Sequence, residues 1–345
     1  MDFQVITTTS EFEKMEREWN SLLSMSITNV PFLRHEYLLG WWKTRGGGEW
    51  KNADLKIITA SDNGLLVGIA PLFMTKISDD GGFDNILMLL GSFEISDYLN
   101  FIVSEKDLEA FMSGLFGFLM DNPQLSWNRL DLYNIPDNST SIVHVQNGAE
   151  AQGWEFIEEP FRPAVSVDLA GDFDSYLAGI DKKQRHEIRR KMRRAVEFDL
   201  PVSWHIITDE AQLEPGMDEF LRLMTFEPEK ANFLTNEMRK QMKNTARAAW
   251  KAGWLQLSFL EVGDQKAAAY FNFDYNGTIW VYNSGMDPQF LNLSPGWVLL
   301  GHLLKRANEQ GRSVFDFMRG DERYKFKFGG KQRFVQRIQV IKKPR

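Results

Sequence analysis

Hydrophobic and polar positions change period along the chain, and each period predicts one kind of element. Residues 10–23, SEFEKMEREWNSLL, carry apolar residues at helical spacing, and Ser10 followed by Glu13 has the spacing of a capping box. Residues 55–76 hold two β-type runs around Asp62-Asn63-Gly64, which predicts a hairpin. Both types of pattern recur over the whole chain.

The same periods predict the remaining elements. Helices are expected at 34–43, 105–122, 138–152, 173–198 (as two helices), 209–252 (with breaks at Pro215 and Pro228) and 294–310. Strands are expected at 85–91, 98–104, 127–136, 155–160, 201–208, 254–285 (as three antiparallel strands), 313–318 and 333–341.

Each half of the chain runs in the order helices, hairpin strands, helix, strand. This order predicts an α+β fold, with mixed but mostly antiparallel sheets and flanking helices. We expect two related domains, residues 1–160 and 161–345, joined near residues 159–165.

Composition removes several classes of site. The chain has 345 residues, a net charge of −7 and no cysteine, so thiolate chemistry and disulfides are absent. The five histidines are scattered without metal-ligand spacing, which predicts no metal site. No signal-type leader or apolar run of membrane-spanning length stands out, so the expected location is cytoplasmic.

Two segments suggest anion binding. Ser294, Pro295 and Gly296 open a helix after a loop, and a helix start offers unpaired N–H groups to a phosphate; an ordinary helix cap would use the same residues. Residues 182–194 hold eight Lys or Arg and one Glu. That helix could contact RNA, an anionic lipid surface or nucleotide phosphates, or be a solvated helix of an acidic protein.

From about residue 160 onward the chain resembles GNAT-superfamily acetyltransferase-like proteins of the CelD/BcsL cellulose-biosynthesis group, which are themselves similar to the FemAB aminoacyltransferases. The matching segments are FRPAVSVDL, KKQRHEIRRKMRR, VYNSGMDPQFLNLSPGWVL and FDFMRGDERYKFKFG, with a fainter match in LGSFEISDYLNFIV. The resemblance implies tandem GNAT-like domains, with acetyl-CoA or another acyl-CoA bound by the C-terminal one. It implies that the acceptor lies between the halves.

The resemblance also implies a donor site. Its residues would be Asn283, Ser284, Gly285, Leu293, Ser294, Pro295 and Gly296. The strand would polarise the acyl carbonyl through its backbone, and the helix start would hold the pyrophosphate. Ser-Pro-Gly has fewer glycines than the usual GNAT signature, which is a departure from the family pattern.

In the same picture, residues 316–325 leave a strand beside the donor sulfur. Tyr324 would protonate the departing thiolate, and Lys325 or Arg319 would stabilise negative charge. Asp316 or Asp321 would accept the amine proton or pair with an arginine. A purely structural salt-bridge network is the alternative.

On the acceptor side the candidates are Asp97, Tyr98 and Arg162. The leading hypothesis is an acyl-CoA-dependent N-acyltransferase acting on an amine-bearing small molecule or glycan, possible roles being polysaccharide or cell-envelope synthesis. The alternatives are a Fem-type transferase that takes its aminoacyl group from tRNA, and a non-catalytic module of an exopolysaccharide assembly system.

Overall fold

The computed structural model describes residues 1–45, 48, 50, 52–79 and 82–342. The strands are β1 (Asp2–Ile6), β2 (Asp54–Leu55), β3 (Ile57–Asp62), β4 (Leu65–Ala70), β5 (Leu72–Asp79), β6 (Gly82–Leu89), β7 (Ile102–Val103), β8 (Arg129–Pro136), β9 (Glu155–Asp168), β10 (Val202–Ile206), β11 (Leu255–Val262), β12 (Gln265–Tyr275), β13 (Thr278–Met286), β14 (Val314–Arg319) and β15 (Lys331–Ile341).

Helices lie between these strands. They are α1 (Thr9–Glu13), α2 (Glu16–Leu23), α3 (His35–Arg45), α4 (Leu108–Asp121), α5 (Ser141–Ala151), α6 (Phe173–Gly179), α7 (Lys182–Val196), α8 (Leu213–Met224), α9 (Pro228–Phe233), α10 (Asn236–Lys251), α11 (Pro295–Glu309) and α12 (Arg323–Lys327). The predicted α+β class is confirmed.

The chain divides into two compact units. The first contains Met1–Pro163 and Phe334–Arg345, and the second contains Ala164–Arg333. The sequence analysis assigned residues 334–345 to the C-terminal domain, whereas the structure groups them with the first unit. Strand β15 pairs with β8 from Val335↔Pro136 to Ile341↔Arg129, and a pattern of hydrophobic residues alone does not say which sheet a final strand joins.

The first unit has two sheets. One follows the order β1-β3-β4-β7, and in the other β9, β15, β8, β6, β5 and β2 are successive neighbours. The predicted hairpin is confirmed, since β3 and β4 pair antiparallel down to Asp62↔Leu65. Asn63 and Gly64 both have positive φ, as a type I′ turn requires.

The second unit has the sheet order β10-β11-β12-β13-β14-β9. All of its ladders are antiparallel except the one between β13 and β14. Helix α11 covers one face with a buried apolar stripe that includes Val298, Leu299, Leu303 and Leu304. The sheet and this helix form the core on which the candidate site is built.

Three local predictions were wrong. Thr8, not Ser10, caps the first helix, and it forms a capping box with Glu11. Pro215 does not break a helix, because it lies in the first turn of α8, where a missing N–H costs nothing. Residues 323–327, expected as the exit of a strand, form the short helix α12.

His302 predicts how the second unit responds to acid. Burial lowers the pKa of this α11 histidine, helped by Lys305, and its ring stacks on Trp204 at 5.3 Å. The unfolded chain therefore takes up a proton near pH 6.5 that the folded chain resists, so the free energy of unfolding should fall as pH drops below that value.

Replacing His302 should flatten this pH dependence. We expect His302→Gln to lose less stability between pH 7 and pH 5 than the wild type in urea titrations. His186→Gln is the control, since His186 is exposed. Equal slopes for wild type and His302→Gln would contradict the assignment.

Candidate functional site

Strands β13 and β14 run side by side only at their beginnings. Their ladder extends from Thr278↔Val314 to Trp280↔Asp316, yet β13 continues to Met286 and β14 to Arg319. The register of β12 against β13 shifts between Phe271 and Asn272, and that of β14 against β9 shifts after Asp316. These irregularities let the two strands part, and backbone groups beyond the parting are left for a ligand to use.

A first chamber of about 290 Å³ lies beyond the parting. It is lined by Lys191, Tyr270, Ser284, Met286, Leu291, Ser294, Gly296, Trp297 and Tyr324. These residues come from α7, β12, β13, the 3-10 turn Pro288–Leu293, the start of α11 and α12, so every wall belongs to the second unit.

The start of α11 carries positive charge, but in an unexpected way. Ser294 is the N-cap residue of α11 as predicted, but it has a left-handed backbone (φ 57°) and its side chain makes no cap hydrogen bond. Its Oγ instead accepts a hydrogen bond from Lys191 Nζ at 2.9 Å. Lys191 also lies 4.3 Å from the Trp297 ring, and Lys327 lies 5.6 Å from the same ring.

The two lysines make this corner attractive to an anion. Burial lowers the pKa of Lys191, offset by Glu187 and reinforced by the nearby Lys327. The N–H groups of Trp297 and Val298 both donate to Ser294 O, so two N–H groups of the first turn are already engaged. Lysine charge and the helix dipole are therefore the main attraction for a phosphate here.

Two tyrosines line the chamber as neutral phenols. Tyr270 donates to Gly296 O at 3.4 Å. Burial raises the pKa of both Tyr270 and Tyr324, and for Tyr324 the neighbouring Tyr270, Glu322 and Glu227 add to the effect. A phenol held in its protonated form can give a proton to a leaving group.

A second chamber of about 250 Å³ adjoins the first and shares Met286 and Leu291 with it. Its lining residues are Leu223, Phe226, Glu227, Pro228, Lys230, Gly285, Met286, Pro288 and Leu291. Lys230 Nζ pairs with Glu227 at 3.0 Å and donates to Ser284 O at 2.8 Å. The segment of β13 from Ser284 to Met286 thus contributes to both chambers.

The exit of β14 is held together by two buried charged residues. Asp316 accepts from the Met318 N–H at 2.7 Å, and Met318 has a positive φ of 60°. Lys325 is 1% exposed and donates to the carbonyls of Met318, Arg319 and Gly320 at 2.7–3.3 Å. These contacts fix a strained loop, because non-glycine residues rarely adopt positive φ.

Of the predicted catalytic residues, only some line a chamber. Tyr324 lines the first chamber. Asp316 and Lys325 engage the backbone of the β14 exit. Arg319 is partly buried and Asp321 is exposed, and neither is among the residues that line the two chambers.

The predicted donor residues divide in the same way. Ser284, Ser294 and Gly296 line the first chamber, and the Asn283 side chain accepts from the Ser284 N–H at 2.8 Å. Leu293 and Pro295 are buried in the packing beneath α11.

The acceptor-side candidates lie in the first unit. Asp97 and Tyr98 are buried, and Tyr98 has a φ of 55°, which is rare for an aromatic residue. The guanidinium of Arg162 lies 5.3 Å from the Phe161 ring.

Sequence reasoning missed several lining residues. Glu227 directly precedes α9 and Lys230 lies within it, and the only signal in this segment was Pro228. Two other lining residues could have been predicted from the sequence. Trp297 directly follows the Ser-Pro-Gly helix start, and Lys191 belongs to the basic run 182–194.

The basic run 182–194 forms α7, which has an inward side and an exposed basic side. Lys191, Ile188 and Ala195 lie on the inward side of α7, while six basic residues are exposed. The exposed six are Lys182, Lys183, Arg189, Arg190, Arg193 and Arg194. At about 100° per residue they span an arc of roughly 140° on the opposite side.

Within the described ranges, no three His, Cys, Asp or Glu side chains come together as a metal site. None of the described helices is long and apolar enough to cross a membrane.

The comparison with protein families matches part of the second unit. Residues 182–326 match the acetyltransferase (GNAT) domain family, which is less than half of the chain. No curated protein matches.

Solved structures of similar fold cover nearly the whole chain. FemX has a TM-score of 0.66 at 12% identity over 98% of this chain and 97% of FemX. A conserved protein of unknown function from Bacteroides thetaiotaomicron has a TM-score of 0.56 at 12% identity, covering 99% and 100%.

The C-terminal domain of a protein described as a lysylphosphatidylglycerol synthetase from Agrobacterium fabrum has a TM-score of 0.52 at 11% identity, covering 98% and 93%. At these identities the likeness concerns the fold. Residues 182–326 of the second unit are thus similar to an acetyltransferase (GNAT) domain. The chain as a whole has the α+β fold also seen in FemX.

Gly285 has a packing role that can be tested. A Cβ at this position would lie 2.6 Å from backbone atoms of Leu223 and Met224, where α8 crosses β13. We expect Gly285→Ala to lower the free energy of unfolding by roughly 1–3 kcal/mol, because backbone must move to make room. Urea unfolding measures this change.

Gly179→Ala is the matched control, since nothing lies within 4 Å of its Cβ position. It should leave stability nearly unchanged. An equally stable Gly285→Ala protein would show that α8 does not press on β13.

Proposed function

We propose that this chain is an N-acyltransferase whose second unit takes an activated acyl group from a phosphate-bearing donor and passes it to an amine. The observation that carries the proposal is the pair of chambers beyond the parting of β13 and β14, which meet at Met286 and Leu291. One chamber has a cationic corner for a donor, and the other has a carboxylate for an amine.

The reaction needs one bond to form and one to break. The acceptor nitrogen, protonated when it arrives, first loses one proton to Glu227 and from there to water; it then bonds to the acyl carbon, the bond from that carbon to the donor's sulfur or oxygen breaks, and the nitrogen loses its second proton. Tyr324 supplies a proton to the leaving atom, and Glu227, 3.0 Å from Lys230, accepts the proton of the amine.

The backbone at Ser284 supports this step. Its N–H donates to its neighbour's side chain and its carbonyl accepts from Lys230, so both lie at the edge that β14 has left. A ligand that displaces the Asn283 side chain would gain a backbone N–H donor for developing negative charge.

We propose acetyl-CoA or another acyl-CoA as the donor. Lys191, Lys327 and the α11 N-terminus fit the phosphates by charge, in place of the glycine-rich loop of the usual signature. Roles in polysaccharide or cell-envelope synthesis remain a proposal that rests on the resemblance to the CelD/BcsL group.

The second candidate is an aminoacyl-tRNA-dependent transferase. The exposed basic arc of α7 favours it, since six Lys or Arg side chains could follow a phosphate backbone. The likeness of the fold to FemX is in keeping with this candidate.

Lys191 distinguishes the two donors. We expect Lys191→Met to weaken acyl-CoA binding roughly tenfold, because a charge-assisted contact to phosphate is lost. Thermal shifts with acetyl-CoA, longer acyl-CoAs, free coenzyme A and ATP measure it, since a ligand that binds only the folded state adds stability of RT ln(1 + [L]/Kd).

Lys183→Met, which alters the outer arc of α7, is the control and should bind acyl-CoA normally. No shift with any acyl-CoA would reject that donor. Steeply salt-dependent binding of aminoacyl-tRNA that is lost in Arg193→Met/Arg194→Met would then support the second candidate.

Tyr324 is expected to act on the chemical step. Tyr324→Phe should lower kcat by about 10²-fold, a typical loss for a general acid, with little change in donor affinity. Tyr275→Phe, outside the lining of both chambers, should leave kcat unchanged. Steady-state kinetics on both variants tests the role, and an unchanged kcat in Tyr324→Phe would remove it.

A further inference from the structure

The second chamber has walls that restrict what the acceptor can be. Leu223, Phe226, Pro228, Pro288 and Leu291 offer no side-chain donor or acceptor to a ligand. A buried hydroxyl without a hydrogen-bond partner costs free energy, so a polyhydroxylated body such as a sugar ring would be poorly accommodated. An apolar body would instead gain from leaving water.

The polar groups of the chamber are concentrated at one place. Glu227 and Lys230 form a pair at 3.0 Å, and Lys230 is also tied to Ser284 O at 2.8 Å. Lys230 uses one of the acceptor sites of the Glu227 carboxylate, whose side chain is 54% exposed. A carboxylate has about four such sites, so others can receive the N–H groups of an ammonium.

The size of the chamber limits the body of the ligand. Its volume of about 250 Å³ is below the range of roughly 300–1,000 Å³ typical of sites for drug-sized ligands. The space therefore suits one ring or a short chain.

We infer that the second chamber selects a primary amine carried on a small apolar body, with Glu227 as the group that recognises the amine. This inference rests on the proposed acyl transfer and names the acceptor class of the same site. It separates an apolar amine from the amino-sugar acceptors that a role in polysaccharide synthesis would suggest.

Amine binding can be measured without any acyl donor. We would titrate n-hexylamine, 1-hexanol and glucosamine into the whole protein at pH 7, where a primary amine is protonated, and follow binding by ligand-observed NMR. We expect hexylamine to bind more tightly than hexanol, which has the same chain without the charge, and more tightly than glucosamine.

Glu227→Gln should weaken hexylamine binding at least tenfold, because a hydrogen bond to a charged group is lost, and should leave hexanol binding unchanged. Glu229→Gln is the matched control: it removes an exposed carboxylate of α9 that does not line the chamber.

Phe226→Ala should weaken hexylamine binding several-fold through lost apolar contact, whereas Leu200→Ala, another exposed apolar residue, should not.

The outcomes separate this inference from the proposed function. Equal affinity for hexylamine and hexanol, preferential binding of glucosamine, or an unaffected Glu227→Gln would overturn the inference even if acyl-CoA binds. Hexylamine binding that depends on Glu227 supports the site as an amine site. If every acyl donor then fails to bind, the transferase proposal falls and the amine site stands.

Discussion

The parting of β13 from β14 is the constraint on which the site depends. Two parallel strands normally continue their ladder, but here hydrogen bonding ends at Trp280↔Asp316. The Asp316 carboxylate accepts a hydrogen bond from the Met318 N–H. The Lys325 ammonium donates to the backbone carbonyls of residues 318–320. A buried ammonium and a buried carboxylate thus hold the backbone at the end of β14.

The elements around the gap between β13 and β14 form the walls of the two chambers. Strand β13 beyond Trp280 exposes the peptide of Ser284 on one side, while its other edge stays in the ladder with β12. Helix α8 presses on Gly285 from one direction and the start of α11 approaches Met286 from another. The two chambers are the spaces left between these contacts, which explains why they share Met286 and Leu291.

Much of the fold followed from the sequence, because it depends on local chemistry. The Asn63-Gly64 turn is a strong short-range signal, and both of its residues have positive φ as expected. The placement of β15 in the first unit could not be predicted, because strand pairing depends on contacts distant in sequence. The left-handed Ser294 also escaped prediction, since its partner Lys191 is 103 residues away along the chain.

The candidate site was only partly visible for the same reason. Tyr324, Ser284 and Gly296 were indicated by their position in the family pattern, and they do line one chamber. Glu227 and Lys230 lie at the start of the short helix α9 and within it, a segment that carries no motif, and only folding brings Lys230 to Ser284. Lys325 was a candidate catalytic cation in the sequence, and the structure shows it buried and donating to three backbone carbonyls.

The central claim is that the donor carbonyl and the acceptor amine meet where β13 and β14 part. The most direct test is hydrogen–deuterium exchange with a bisubstrate analogue in which the coenzyme A sulfur is joined through an acetyl spacer to hexylamine. The account expects slower exchange in residues 281–297 and 323–328. Protection confined to other segments, or none at saturating analogue, would contradict it.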